Sequence, residues 1–172
     1  MEELAIGKEL NKSTIFNNIK KELIGQCFEI RDCDMKRPWG GFFVLAEKQA
    51  AKFVEIYFPG EDPAKLVTDR KVSPKILVVA PQRRLSWQYH HRRSEVWRVA
   101  HGSVGIIRSQ TDEQGELQTL NEGDQVVLAQ GERHRLVGLN DYSIIAEIWQ
   151  HTNTNEPSNE EDIVRVEDDF GR

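Results

Sequence analysis

The sequence predicts an all-β protein, a sandwich or barrel of short strands preceded by one helix. Short runs of β-branched and aromatic residues recur between clusters of glycine, asparagine and aspartate, which is typical of strands joined by turns. These strand signals do not alternate with helical segments as they would in a parallel α/β sheet. A length of 172 residues fits one domain built around a small ligand site.

The helix is expected over residues 13–23. Ser13 is suited to cap its amino end, and Gly25 is suited to end it. Four apolar side chains fall on one face of this helix, namely Ile15, Phe16, Ile19 and Leu23. Such a face must cover either the barrel or a second subunit.

The strands fall into two groups. The first comprises residues 42–45 and 52–58, and a charged connection over residues 59–74 follows it. The second begins near Lys75 and comprises residues 76–79, 95–99, 104–107, 125–128 and 142–149. A hairpin loop is predicted at 110–118, and the acidic segment 156–169 is predicted to be a solvated tail packed through Ile163, Val166 and Phe170.

Composition restricts the classes of function. The net charge of −5 argues against nucleic acid as a partner. No apolar run of 18 residues and no signal-peptide pattern occurs, so a cytoplasmic location without membrane association is expected. Cys27 and Cys33 are the two cysteines, and we expect both to be reduced.

Four potential metal ligands follow the spacing Q-x-H-x4-E with a distant histidine. Gln88 and His90 are two residues apart and therefore face the same side of a strand. Glu95 comes within reach after a short turn, and His134 follows far downstream. Amide, imidazole and carboxylate ligands suit zinc, manganese, iron or nickel better than a metal that prefers thiolates.

These residues belong to a longer pattern that resembles the cupin metal signature, with Gln88 in place of the first histidine. The run LSWQYHHRRSEVW at 85–97 is similar to that of the type II mannose-6-phosphate isomerase family, whose domain also occurs fused to mannose-1-phosphate guanylyltransferase. Further matching segments are RPWG at 37–40, GERHRL at 131–136, EEDIVR at 160–165 and DFGR at 169–172. The resemblance spans residues 36 to 172.

The resemblance implies a cupin double-stranded β-helix, or jelly-roll barrel, at residues 36–172, behind an N-terminal extension with one helix at 1–35. It also implies a stand-alone metal-dependent aldose–ketose isomerase of the mannose-6-phosphate/fructose-6-phosphate type, working as a homodimer. Its divalent metal would be zinc, or else manganese, nickel, cobalt or iron. Two alternatives stay open: a non-catalytic metal-binding cupin that binds a sugar or sugar phosphate, and a cupin enzyme that acts on another sugar.

Basic residues cluster around the predicted ligands in a protein that is acidic overall. Such a local excess of positive charge favours an anionic ligand such as a phosphate. We assign substrate binding to Lys75, Arg92 and Arg93. Arg135 is assigned the stabilisation of oxyanion charge, and Glu147 is the carboxylate proposed for proton transfer, with a metal-bound hydroxide as the alternative base.

The remaining aromatic and histidine residues are given structural roles. Trp87, Trp97 and Trp149 are expected to pack the barrel rather than to stack on a sugar. His101 and His151 are expected at the surface.

Overall fold

The computed structural model describes residues 10–67 and 72–171. Its α-helices are α1 Lys12–Gly25, α2 Ala50–Tyr57 and α3 Pro63–Leu66. Its strands are β1 Ile30–Asp34, β2 Gly40–Leu45, β3 Val72–Val79, β4 Trp87–His90, β5 Arg93–His101, β6 Ser103–Ser109, β7 Gln118–Asn121, β8 Gln125–Leu128, β9 Arg133–Gly138, β10 Ser143–His151 and β11 Ile163–Glu167. Residues 1–9 of the predicted extension, 68–71 of the predicted connection and Arg172 of the closing motif lie outside the described residues.

The strands form two antiparallel sheets that face each other. One sheet has the order β1-β2-β3-β10-β5-β8, and the other has the order β11-β4-β9-β6-β7. This arrangement confirms the predicted all-β jelly-roll barrel with a short helix before it. The predicted boundary between residues 35 and 36 stays a prediction, although β1 on its N-terminal side pairs with β2.

The central strands β3 and β10 of the six-stranded sheet are buried on both faces, and successive side chains of each strand point into opposite cores. On β3, Leu77 and Val79 belong to the core between the two sheets. Ile76 and Val78 point the other way, into a second core under the helices. This alternation explains why β3 is apolar at nearly every position.

Helix α1 covers the outer face of this sheet. Of the two partners expected for its apolar face, the barrel and a second subunit, the structure shows the barrel. Its four apolar residues are buried in the same core as Phe43 of β2. The amino-terminal cap is Asn11 and not Ser13, because the side chain of Asn11 accepts a hydrogen bond from the backbone N–H of Thr14.

The predicted strand at 52–58 is wrong, since this segment forms helix α2. The buried residues of α2 are Ala50, Phe53, Val54 and Tyr57. Their spacing of three, four and seven residues puts all of them on one helical face against the sheet. The β-branched and aromatic composition of the segment had favoured a strand, and tertiary packing overrides that weak preference.

Residues 156–167 of the segment predicted to be a solvated tail lie across the barrel; we call them the C-terminal strap. The predicted packing of Phe170 is confirmed, because it contacts the core between the sheets, whereas Val166 is exposed. Strand β11 pairs with β4, with Ile163 opposite His90 and Arg165 opposite Gln88. Asp162, just before β11, is buried. None of the helices in the described residues is long and apolar enough to span a lipid bilayer.

Candidate metal centre

The predicted ligands converge because three strands turn alternate residues towards the barrel interior. On β5 the inward positions include Glu95 and Trp97, and on β9 they include His134 and Leu136. Gln88 of β4 lies directly opposite His134 of β9 in the sheet register. The second sheet therefore brings residues that are far apart in sequence to the same end of the barrel.

His90, Glu95 and His134 form a compact buried triad. Their nearest ligand atoms all lie within 4.8 Å of one another. The Nε2 atom of His90 lies 3.1 Å from Oε1 of Glu95, and Nε2 of His134 lies 3.5 Å from Oε2 of the same carboxylate. Each of the three side chains is 2 % exposed, so bulk water does not solvate them.

The hydrogen bonds around the triad leave two acceptors facing each other. Nδ1 of His134 lies 2.9 Å from the carbonyl oxygen of Glu132, which places the ring proton on Nδ1 and leaves a lone pair on Nε2. Within the described residues, neither this Nε2 nor Oε2 of Glu95 has a hydrogen-bond partner. Two buried acceptors without donors are costly unless a cation lies between them, so the triad fits a metal ion.

The protonation states of the triad also favour a cation. Burial lowers the pKa of His134 to about 4, which keeps its imidazole neutral. Burial alone would raise the pKa of Glu95, but its interactions with His90 and Arg93 outweigh burial and hold that pKa well below the ordinary value. A neutral imidazole and an ionised carboxylate are the forms that bind metals.

Gln88, the predicted fourth ligand, lies beside the triad. It lines the adjoining pocket, and its Oε1 accepts a hydrogen bond of 2.5 Å from the Ser86 hydroxyl. An amide oxygen has two lone pairs, so this bond leaves one for a metal. Gln88 as a ligand stays a prediction.

Arg93 closes one side of the triad. Its Nε donates to Oε1 of Glu95 at 2.7 Å, and its Nη2 lies 3.1 Å from Nε2 of His90. The guanidinium carbon also lies 3.4 Å from the centroid of the Trp149 ring. Arg93 therefore neutralises Glu95 from one side while the second carboxylate oxygen stays turned towards His134.

A pocket of about 560 Å³, counted with its open mouth, adjoins the triad. Arg93 and Trp97 connect the pocket to the triad. Both line the pocket; Arg93 bonds to Glu95, and the Trp97 ring packs edge-on against that of His134 with 5.2 Å between the ring centroids. The charged side chains of the pocket wall are Arg37, Lys75, Arg93, Arg165, Glu147 and Glu160. Its aromatic side chains are Trp39, Phe42, Trp97 and Trp149.

Lys75 and Glu147 face each other across β3 and β10 in this pocket. Oε1 of Glu147 accepts a hydrogen bond of 3.0 Å from the Trp97 indole nitrogen. Burial, and then the charge of Glu95, raise the pKa of Glu147 to about 8. A buried carboxyl with a pKa near neutrality is suited to proton transfer.

Comparison with known proteins agrees with this geometry. The family model described as mannose-6-phosphate isomerase C-terminal matches residues 46–168, more than half of the chain. The chain belongs to this family. The predicted family membership and the cupin fold are thereby confirmed.

Solved structures support the fold of this mannose-6-phosphate isomerase C-terminal domain. KdgF from Halomonas sp. matches with a TM-score of 0.51 and 14 % identity over 76 % of this chain and 90 % of that one. The tomato (Solanum lycopersicum) vicilin matches with a TM-score of 0.51 and 19 % identity over 76 % of this chain and 32 % of its own. The hazelnut (Corylus avellana) vicilin matches with a TM-score of 0.51 and 21 % identity over 77 % of this chain and 33 % of its own.

The chain thus spans about a third of the length of the vicilins and most of the length of KdgF. Identities this low show a shared fold alone. None of the curated proteins matches the chain.

Two of the residues assigned to the site of this family domain lie away from the pocket. Arg135 follows His134 on β9 and so points to the opposite face, where it donates to the carbonyl of Leu85 at 2.9 Å and to Glu167 at 3.1 Å. Arg92 pairs with Glu156 at 2.7 Å on the C-terminal strap. The geometry does not support direct substrate contact by either residue.

Sequence reasoning missed three charged residues of the pocket. Arg37 belongs to the RPWG motif, whereas Glu160 and Arg165 belong to the strap. Arg37 was identifiable from its motif. Glu160 and Arg165 lie in the matching segment EEDIVR, but they reach the pocket only because β11 pairs with β4.

Three structural assignments need correction. Trp97 and Trp149 line the pocket as well as pack, so they are available to a ligand. His151, expected at the surface, is 1 % exposed; its Nδ1 accepts from the backbone N–H of Ser158, and its Nε2 lies 3.1 Å from the Ser73 hydroxyl. Cys27 and Cys33 are free thiols, as expected.

Proposed function

We propose that this protein is a metal-dependent aldose–ketose isomerase that interconverts mannose 6-phosphate and fructose 6-phosphate. The observation that carries the proposal is a buried triad with two unpaired acceptors beside a pocket that combines cationic side chains with the buried acid Glu147. Membership of the mannose-6-phosphate isomerase C-terminal family supports the same reaction.

A divalent metal would be held by His90, Glu95 and His134, with Gln88 as a fourth ligand. We propose zinc as this metal, with manganese, nickel, cobalt and iron as the alternatives. When bound, the metal would polarise the carbonyl and neighbouring hydroxyl of the sugar as a Lewis acid. Arg93 donates to Oε1 of Glu95 and offsets its charge, which leaves the triad with little excess negative charge. The buried walls around the triad exclude water and strengthen these charge interactions.

Glu147 is proposed to move the proton between C1 and C2 of the sugar through a cis-enediol. It lines the pocket, and the Trp97 N–H fixes one of its two oxygens. The other oxygen is left to accept a proton from one carbon and return it to the next. A pKa near neutrality serves both directions of such a transfer.

Lys75 and Arg93 are proposed to bind the phosphate. Both cations line the pocket and contact the same indole ring, that of Trp149, at 3.4 Å. Arg37 and Arg165 add positive charge to the same wall. A phosphate dianion is favoured where several buried or half-buried cations converge.

The test combines metal analysis of the purified protein with assays of both isomerisation directions on the same sample. We expect one metal per chain and turnover that a chelator abolishes. Glu95→Ala and His134→Ala should each lose the metal, whereas the matched control His91→Ala, at an exposed position beside His90, should keep it. Full metal content in both triad variants would refute the site.

The same experiment separates the alternatives. Stoichiometric metal without turnover of either sugar phosphate would contradict the isomerase proposal. It would instead favour a non-catalytic metal-binding cupin or an enzyme that acts on another sugar.

A further inference from the structure

The ammonium group of Lys75 occupies an unusual position for a lysine. Its side chain is 8 % exposed, and its Nζ lies 3.4 Å from the centroid of the Trp149 ring and 5.4 Å from that of Phe42. Burial lowers its pKa, and the charges of Glu147 and Glu160 oppose that shift. A desolvated cation in this setting gains much from an additional anion.

Glu160 supplies a carboxylate to this cation from the mouth of the pocket. Its Oε1 lies 3.3 Å from Nζ of Lys75, longer than the 2.7–2.9 Å typical of a charge-assisted hydrogen bond. The Glu160 side chain is 56 % exposed. The pair is therefore loose, and the carboxylate is free to rotate into water.

The C-terminal strap holds Glu160 at this position from both sides. Before it, the Ser158 hydroxyl accepts a hydrogen bond of 2.9 Å from Nη1 of Arg93. After it, the Asp162 carboxylate accepts from the backbone N–H groups of His91 and Arg92 at 3.2 and 3.0 Å. Only the side chain of Glu160, and not its backbone, is free to leave Lys75.

We propose that Glu160 is an internal competitor for an anion subsite at Lys75. Its carboxylate occupies the place that an anionic substituent of the ligand takes, and it rotates into solvent when that ligand binds. This inference rests on the proposed function for the identity of the ligand, a sugar phosphate. Glu160, on the C-terminal strap and outside the triad, would thus set the affinity of the pocket for phosphate ligands and its selectivity between charged and neutral sugars.

The competition has a predictable size. A half-exposed ion pair is weak, so breaking it costs the ligand little, and repulsion between Glu160 and an incoming phosphate adds to this cost of binding. Removing the charge of Glu160 is therefore expected to tighten phosphate binding by roughly three- to tenfold. A neutral sugar does not compete with a carboxylate and is expected to bind both forms equally.

The test measures binding of inorganic phosphate, mannose 6-phosphate and mannose by calorimetry, with the full chain both metal-loaded and chelator-treated. Glu160→Gln should lower the Kd of the two phosphate ligands and leave that of mannose unchanged. Glu156→Gln is the matched control, because Glu156 also lies on the strap and pairs with an arginine, but outside the pocket. It should bind all three ligands like the wild type.

A double-mutant cycle assigns the effect to Lys75. Lys75→Met keeps the length of the buried stem and should weaken phosphate binding at least tenfold. In that background Glu160→Gln should have no further effect. If Lys75→Met fails to fold, the comparison of phosphate Kd values between Glu160→Gln and Glu156→Gln is enough to test the competitor role of Glu160.

The outcomes separate this inference from the proposed function. Unchanged or weaker phosphate binding in Glu160→Gln would overturn the competitor role, whether or not the protein isomerises sugar phosphates. Tighter phosphate binding without isomerase activity would keep the subsite and refute the isomerase.

Discussion

At the scale of single residues, the hydrogen bonds of His134 and Glu95 indicate a metal site more strongly than the motif does. A carbonyl fixes the tautomer of His134, so that a lone pair faces a carboxylate oxygen across 3.5 Å. A sequence motif shows which residue types are present. In the part of the chain that the structure describes, Nε2 of His134 and Oε2 of Glu95 have no hydrogen-bond donor, and a cation or a proton between them would satisfy both.

Glu147→Gln tests the proton-transfer role. The amide oxygen is still able to accept the hydrogen bond from Trp97, so we expect the fold and the metal content to stay unchanged. Turnover should fall by about 10²- to 10⁴-fold, the usual contribution of a general acid–base residue. Steady-state kinetics with metal analysis checks this, and near-normal kcat would exclude Glu147 as the base.

Arg135→Ala tests whether the arginine beside His134 acts in chemistry or in structure. Its side chain is fully buried and bonds to Leu85 and Glu167 on the face away from the pocket. We expect the free energy of unfolding to fall by about 2–4 kcal/mol, because the carbonyl of the buried Leu85 loses its charged donor. Denaturant unfolding and kinetics distinguish the roles: a large loss of kcat without loss of stability would restore the oxyanion role.

At the scale of elements, the C-terminal strap converts an open barrel end into a walled pocket. It contributes Glu160, Ile163 and Arg165 to the wall and orients Arg93 through Ser158. The carboxylate of Asp162 connects the strap to the turn between β4 and β5, because it accepts hydrogen bonds from the backbone N–H groups of His91 and Arg92. The strap and the turn that connects the strands of His90 and Glu95 are thus stabilised together.

Asp162→Asn tests this connection through the pH dependence of stability. Burial alone would raise the pKa of Asp162, but hydrogen bonds from Ser158 and from the N–H groups of Arg92 and His91 lower it below the ordinary 3.8. As the pH falls, the unfolded state therefore takes up the proton first. The stability that Asp162 provides is present above pH 4 and lost on further acidification.

We expect the Asn variant to be about 1–2 kcal/mol less stable at pH 7 and to lose less stability than the wild type between pH 5 and about 2.5. Urea unfolding across this range checks the prediction. Asp141→Asn, at an exposed turn, is the control and should follow the wild type. If the free energy of unfolding of Asp162→Asn and that of the wild type changed with pH in parallel, the Asp162 carboxylate would not be what stabilises the strap.

At the scale of the whole molecule, two cores share the six-stranded sheet. One fills the barrel between the sheets, and the other lies under α1 and α2 on the outer face. Because β3 and β10 are mostly apolar on their outer side, they need this helical cover. The central strands β3, β5 and β10 carry Lys75, Glu95 and Glu147, and the register of β3 and β10 pairs Lys75 with Glu147. The homodimer and the cytoplasmic location stay predictions.

The sequence by itself determined the features that depend on neighbouring residues. The period of two places Gln88 and His90 on one side of a strand, the period of 3.6 defines the buried face of α1, and the ligand types indicate the class of metal. The same alternation also implied that Arg135 faces away from His134, an inference that its position beside a ligand obscured.

Only the tertiary structure decided the features that depend on distant partners. Helix α2 forms because the sheet offers its apolar residues a surface to cover, although their composition favours a strand. The strap becomes part of the site because β11 pairs with β4, and Glu160 meets Lys75 across 85 residues of chain. Contacts of that range are set by the packing of the whole barrel, and no local pattern in the sequence encodes them.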